Sequence, residues 1–129
     1  MFQLTAIYLT SAILGIMLFF SFVVAPVTFT TLNEENARKF IRKIFPYYYN
    51  VNLGISILVT LIFVFIGKFH LDFFLILSVA LLFALSNYVL MPLINKYRDN
   101  NQDKKFKLSH LISVVINFLQ MVFLIIILI

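Results

Sequence analysis

The chain has no cysteine, and charge is scarce along most of its 129 residues. The absence of cysteine excludes disulfide bonds, thiolate zinc sites, iron–sulfur clusters and a cysteine nucleophile. Only 12% of the residues are charged and 63% are hydrophobic, whereas soluble domains carry roughly 25% charged residues. Together with a mean hydropathy of +1.05, this composition predicts an integral membrane protein.

Four stretches of the sequence contain no Asp, Glu, Lys or Arg: 1–33, 44–67, 73–95 and 108–129. A helix rises about 1.5 Å per residue, so each stretch is long enough to cross the roughly 30 Å hydrocarbon layer of a bilayer. The sequence therefore predicts an all-α, four-helix membrane bundle. The predicted spans are approximately 3–28, 47–67, 71–94 and 108–129. Four spans and three connections leave no room for a soluble domain, so residues 1–129 form one transmembrane domain.

The basic residues are distributed unevenly over the three connections. Nine of the ten lysines and arginines follow span one or span three, and the middle connection holds only Lys68. Cytoplasmic connections are rich in Lys and Arg, so both basic connections are predicted to face the cytoplasm and both termini to face outward. Topology accounts for the net charge of +5 without nucleic acid as a partner. Anionic lipid headgroups are the expected partners of these connections.

Residues 34–44 are predicted to form a short amphipathic helix in the cytoplasmic interface. Asn33 is a good N-cap, and acidic residues occupy the positive first turn. The apolar side chains share one face: Ala37, Phe40, Ile41 and Ile44. Pro46 is expected to end this helix and open span two, with the tyrosines at 47–49 as anchors at headgroup level. Alternatively, 34–44 is only a solvated connector.

A weak internal repeat appears when the second half of the chain is laid on the first with an offset of 66 residues. The segment 21–27 then meets 87–93, and Pro26 meets Pro92. A real repeat would make the protein two parallel hairpins related by an axis along the membrane normal. Both prolines are expected to kink or end their helices, because proline removes a backbone donor and strains the preceding turn. A structural role for these prolines is favoured over a gating role.

Polar side chains concentrate in the half of the bilayer next to the basic connections. On span four they recur at spacings of three, four and three residues, which is typical of one helical face. A polar face is costly in lipid, so it is predicted to point into the bundle. Two interpretations stay open: interhelical hydrogen bonding, or a polar pocket open to the cytoplasm for a small neutral or weakly polar compound. The candidate residues are Asn52, Ser56, Asn87, His110, Ser113, Asn117 and Gln120.

Several enzyme classes find no support in the sequence. No ionisable carboxylate, lysine or arginine lies deep in a span, which disfavours a proton relay. Serine, histidine and carboxylate residues do not share a common depth, which disfavours a hydrolase, so no catalytic residue and no metal site is predicted. His110 leaves a haem-linked oxidoreductase as a third hypothesis, although His70 lies at the opposite membrane face. The first hypothesis is a non-enzymatic structural or partner-binding module, whose partner is a second copy or another membrane protein.

Four segments together carry a resemblance to a known family: 22–29, 45–49, 90–99 and 108–117. Their most specific features are the Ala25–Pro26 pair, the proline-aromatic start of span two, the Pro-x-x-Asn and Arg-Asp run at 92–99 after span three, and the histidine and asparagine of span four. The chain resembles the transmembrane protein 205-like family, small four-span proteins whose bacterial members carry a domain of unknown function. The resemblance implies a multi-pass membrane protein and provides no catalytic residues to transfer. The expected location is the bacterial inner membrane.

Topology reporters test the predicted orientation. Alkaline phosphatase needs its disulfides, which form outside the cytoplasm, so a fusion after Ile129 should be active and an insertion after Asn101 inactive. A fluorescent protein that matures in the cytoplasm should give the opposite pattern at the same two positions. Phosphatase activity at Asn101 and none at Ile129 would reverse the assignment of the two membrane faces.

Overall fold

The computed structural model describes residues 1–129 and confirms the all-α, four-helix bundle. The helices are α1 (Phe2–Thr31), α2 (Glu34–Phe65), α3 (Leu71–Asp99) and α4 (Asp103–Leu128). All four are long and apolar enough to cross a membrane. Because the connections 32–33, 66–70 and 100–102 are short, consecutive helices run antiparallel. The turns 32–33 and 100–102 therefore lie at one end, called here the basic end.

The helices form a closed ring in which α2 and α4 each pack between α1 and α3. Every helix thus has two antiparallel neighbours. The centre is filled by apolar side chains with no exposed surface: Ile13, Val59, Ile76, Val79, Phe83 and Leu124. Large apolar side chains also cover the outside, as lipid contact requires; Phe22, Phe65 and Phe118 are all more than half exposed.

One π-helical turn interrupts α1 at Phe20–Val24, and another interrupts α3 at Ser86–Leu90. Each turn precedes a proline by two residues, Pro26 in α1 and Pro92 in α3. Proline has no N–H to donate. The residue just before each proline donates its N–H to the carbonyl five residues back, and this π-helical hydrogen bond keeps the helix continuous. Neither proline ends its helix. The two π turns lie 66 residues apart, which is the offset of the sequence repeat, so the α1–α2 and α3–α4 hairpins share this irregularity.

The predicted separate helix over 34–44 is wrong as an independent element. α2 runs without a break from Glu34 to Phe65, with Pro46 inside it. Pro46 removes only one helical hydrogen bond, the one to the Arg42 carbonyl, and membrane helices tolerate such a loss. Residues on both sides of Pro46 also pack in one register, since Ala37 and Tyr48 are both buried. Packing against neighbouring helices therefore outweighs the local signal for a break.

The predicted start of this helix is confirmed. The Asn36 N–H donates to Asn33 Oδ1 at 2.9 Å, which is the geometry of an N-cap. Two ion pairs between residues four positions apart, Glu34 with Arg38 and Glu35 with Lys39, are also formed. Local side chains thus compensate the unpaired N–H groups and the positive end of the helix dipole at the start of α2.

Candidate functional site

A row of polar and aromatic side chains on α2 faces the interior of the bundle. Tyr48, Asn52 and Ser56 are all buried, and Asn52 and Ser56 have no exposed surface. Their spacing of four residues keeps them on one helical face. The structure therefore places the candidate residues Asn52 and Ser56 inside the bundle.

The tyrosines at the start of span two do not all anchor at headgroup level as expected. Tyr47 is 67% exposed, but Tyr48 and Tyr49 are only 6% and 7% exposed. Successive residues turn by about 100° around a helix, so three adjacent tyrosines cannot all face outward. The sequence does contain a signal for the inward direction, because Tyr48 continues the four-residue spacing of Asn52 and Ser56.

A chain of two hydrogen bonds joins three helices at this level. The Tyr48 hydroxyl donates to Asn117 Oδ1 at 2.8 Å, and Asn117 Nδ2 donates to Ser21 Oγ at 3.2 Å. The Tyr48 ring also stacks on Phe20, with ring centres 4.3 Å apart. Side chains of α2, α4 and α1 are thereby held together in the order Tyr48, Asn117, Ser21. The sequence-based set of candidates lacks both Tyr48 and Ser21.

Two further polar contacts involve α3. Asn87 Nδ2 donates to Asn50 Oδ1 on α2 at 2.9 Å. Gln120 Nε2 on α4 donates to the Val79 carbonyl at 3.0 Å. We call these contacts and the Tyr48–Asn117–Ser21 chain the polar layer. Asn50 is a further member that the sequence analysis did not single out.

The two π turns occupy matching places in the polar layer. Ser21 is the second residue of one π turn and Asn87 the second residue of the other. Ser21 bonds to α4 and Asn87 bonds to α2, so each residue contacts an antiparallel neighbour. π turns change the direction of the side chains within a helix and are frequent at functional sites. The structural repeat therefore extends to the interactions of the polar layer.

Not every polar atom in the layer has a partner. Asn52 Nδ2 donates to the Tyr48 carbonyl, and the Ser56 hydroxyl donates to the Asn52 carbonyl, both within α2. Asn52 Oδ1 is buried and accepts no hydrogen bond. A buried acceptor without a donor costs about 1–3 kcal/mol, so this atom marks a place where a donor would be stabilising.

His110 does not join the polar face of α4 as predicted. It is exposed, and its ring stacks on Phe106 with ring centres 5.8 Å apart. Ser109 is buried in its place, and Ser113 is half-buried. At about 100° per residue, position 110 lies roughly 80° from position 120, whereas position 109 lies only about 20° away. His110 and His70, which precedes α3, are both outside the polar layer.

The contribution of the Tyr48 hydroxyl can be measured by a one-atom change. Tyr48→Phe leaves the stacked ring and removes the donor to Asn117 Oδ1, so it should lower the free energy of unfolding by about 0.6–2 kcal/mol. Tyr47→Phe is the matched control, since Tyr47 points outward one residue earlier, and it should change stability by less than about 0.5 kcal/mol. Reversible unfolding in mixed micelles gives both values. Equal effects of the two changes would count against the hydrogen bond.

Comparisons with known proteins place the chain in a family without assigning an activity. Residues 8–103 match the family described as "Domain of unknown function (DUF4149)". An uncharacterised protein of Aquifex aeolicus is 32% identical over 114 residues, which cover 87% of this chain and 83% of that protein. No solved structure matches the chain. The match spans most of the bundle, from α1 to the start of α4, and the chain belongs to this family of domains of unknown function.

Proposed function

We propose that the protein is a non-enzymatic membrane module whose polar layer holds four helices in one arrangement. The observation that carries this proposal is the Tyr48–Asn117–Ser21 chain, which ties three helices together through neutral side chains. Interhelical hydrogen bonds in membranes contribute on average about 0.6 kcal/mol each. Several such bonds between the helices favour one packing of the helices over others.

The chemistry of the layer supports a packing role over catalysis. Its side chains are amides and hydroxyls, which are weak acids and bases, and most of them hydrogen-bond to one another or to their own helix. A nucleophile needs an adjacent base to activate it, and no carboxylate or histidine lies beside these hydroxyls. A module of this kind would act by binding a second copy or another membrane protein.

The positive-inside rule supports a location in the bacterial inner membrane with the basic end in the cytoplasm and both termini outside. In this orientation, anionic lipid headgroups would attract the lysines and arginines of the basic end. The resemblance to the transmembrane protein 205-like family is part of the same proposal. It is consistent with four spans and rests on the segments 22–29, 45–49, 90–99 and 108–117.

The unpaired Asn52 Oδ1 favours a second candidate function, the binding or transport of a small neutral or weakly polar compound. A ligand with one hydroxyl or amide donor would supply the missing hydrogen bond. Asn52 lies one turn from Tyr48 on α2, so such a ligand would sit against the polar layer.

Thermal unfolding in detergent tests the first proposal. Asn117→Leu keeps the branching at Cγ but removes both hydrogen bonds of Asn117, so it should lower the free energy of unfolding by about 1–3 kcal/mol. Phe118→Leu is the control, because Phe118 is 67% exposed and should be replaced with little effect. No small neutral compound should raise the unfolding temperature of the native protein.

Two outcomes would contradict the packing role. One is an Asn117→Leu protein that is as stable as the Phe118→Leu protein. The other is a small neutral compound that stabilises the native protein but not an Asn52→Leu variant, which would support the second candidate function. Stabilisation follows the ratio of ligand concentration to dissociation constant, so a titration separates specific binding from a detergent effect.

A further inference from the structure

A groove of about 700 Å³ opens at the basic end between the first turns of α2 and the last turn of α3. No hydrophobic side chain lines it, which is unusual in a chain that is 63% hydrophobic. Its lining residues are Asn33, Glu34, Glu35, Arg38, Lys39, Arg42, Arg98, Asp99 and Asn101. Charged walls of both signs favour water over lipid in such a groove, which lies beside the α2–α3 contact.

The side of the groove opposite α2 is formed by the tip of the α3–α4 hairpin, residues 91–110, called here the hairpin tip. This tip is weakly attached to the rest of the bundle. Ser109 is the only buried residue in this segment. The tip is held together by its own contacts, since Arg98 lies over the Phe106 ring at 4.6 Å and Lys105 over the Tyr97 ring at 5.7 Å. Its α3 part packs along α4 and shares little backbone contact with α2.

Two ion pairs connect the hairpin tip to α2. The Arg42 guanidinium donates to both Asp99 oxygens, at 2.5 and 3.3 Å, and to the Asn95 carbonyl at 3.4 Å. Arg98 lies 3.6 Å from Glu34. All four charged side chains are partly exposed, and ion pairs in such surroundings contribute little stability. We call the Arg42–Asp99 contact the latch.

The hairpin tip begins directly after the irregular part of α3. The π turn Ser86–Leu90 and Pro92 weaken the backbone hydrogen bonding where the α3 arm of the tip joins the bundle, whereas its α4 arm belongs to an uninterrupted helix. The matching segment of α1, Ala25–Thr31, has no charged residue and so has no corresponding latch. Only the α3 side combines a weak point in the helix, a loosely packed end and an ion pair that can be released.

We propose that the hairpin tip is a gate that swings away from α2 when the latch opens, and that the open gate admits water and small polar solutes to Asn87, the buried member of the Asn50–Asn87 pair. Arg42 precedes Asn50 by eight residues, so the pair lies roughly 12 Å below the latch along α2. The gate goes beyond the packing role, because it makes one edge of the polar layer accessible from the basic end. It closes again when Asp99 returns to Arg42.

The absence of cysteine makes the gate directly testable by labelling single cysteines in the full chain. Ser86→Cys places a small thiol in the π turn at a buried position, next to Asn87. Val79→Cys is the control reporter, since Val79 is fully buried in the apolar core. A membrane-impermeant maleimide is added to the basic side of sealed vesicles. The maleimide reacts with the thiolate, which forms only where water reaches the sulfur.

Each reporter is combined with the native latch, with Arg42→Gln and with Asp99→Asn. Both latch variants should raise the labelling rate of Ser86→Cys about fivefold, because the closed state loses its ion pair. Lys39→Gln is the matched control: it also removes one basic charge from α2, but Lys39 pairs with Glu35 inside the same helix. It should leave the rate unchanged, and Val79→Cys should remain unlabelled throughout.

Salt provides a test that leaves the latch residues native. At about 1 M salt the Debye length falls to about 3 Å, which weakens ion pairs between exposed side chains such as the latch, so Ser86→Cys should label faster than at low salt, while Val79→Cys should not respond. The salt experiment tests the gate even if a latch variant fails to fold. The proposal is overturned if Ser86→Cys in the latch variants labels at the rate of Lys39→Gln and salt has no effect. It is equally overturned if the two reporters gain accessibility together under salt, because that would be general loosening.

Discussion

Lipid supplies no hydrogen-bond partners, and this constraint governs where the polar side chains of the protein lie. Apart from Asn52 Oδ1, the buried polar side-chain atoms within the spans bond to their own helix or to a neighbouring one. Ser56, Thr10 and Ser78 take the first route and donate to the carbonyl four residues back. Asn117 and Asn87 take the second route and bond to other helices. The second route determines how the helices are arranged, because those bonds exist only in one packing.

The irregular turns of α1 and α3 serve the same arrangement. A π turn adds one residue to a helical turn and so rotates everything that follows relative to what precedes it. The rotation occurs at Phe20–Val24 and Ser86–Leu90, where Ser21 and Asn87 form their interhelical bonds. The prolines that follow each turn by two residues make the wider turn favourable. The π turns, the internal repeat and the polar layer are therefore parts of one structural feature.

Properties that depend on the local sequence could be predicted, and properties that depend on rotation about a helix axis could not. Charge-free stretches predicted the four helices, and Asn33 predicted the start of α2. The directions of Tyr48 and His110 were predicted wrongly. The preference of tyrosine for headgroups, and the spacing of three and four residues on span four, are each compatible with a helical face that is rotated by one residue. Pro46 was predicted to end a helix because the sequence shows only its local effect. The packing of the residues on either side of it, which keeps α2 continuous, is a tertiary effect. Asn50 could be identified only from its contact with Asn87.

The central claim is that a hydrogen bond between Tyr48 and Asn117 couples α2 to α4, and a double-mutant cycle measures that coupling directly. The cycle compares unfolding free energies in micelles for the native protein, Tyr48→Phe, Asn117→Leu and the double variant. The expected coupling free energy lies between about 0.6 kcal/mol, the average for interhelical hydrogen bonds in membranes, and about 1.7 kcal/mol, the largest value found. The same cycle with Tyr47→Phe in place of Tyr48→Phe should give none. Additive effects of Tyr48→Phe and Asn117→Leu would contradict the account.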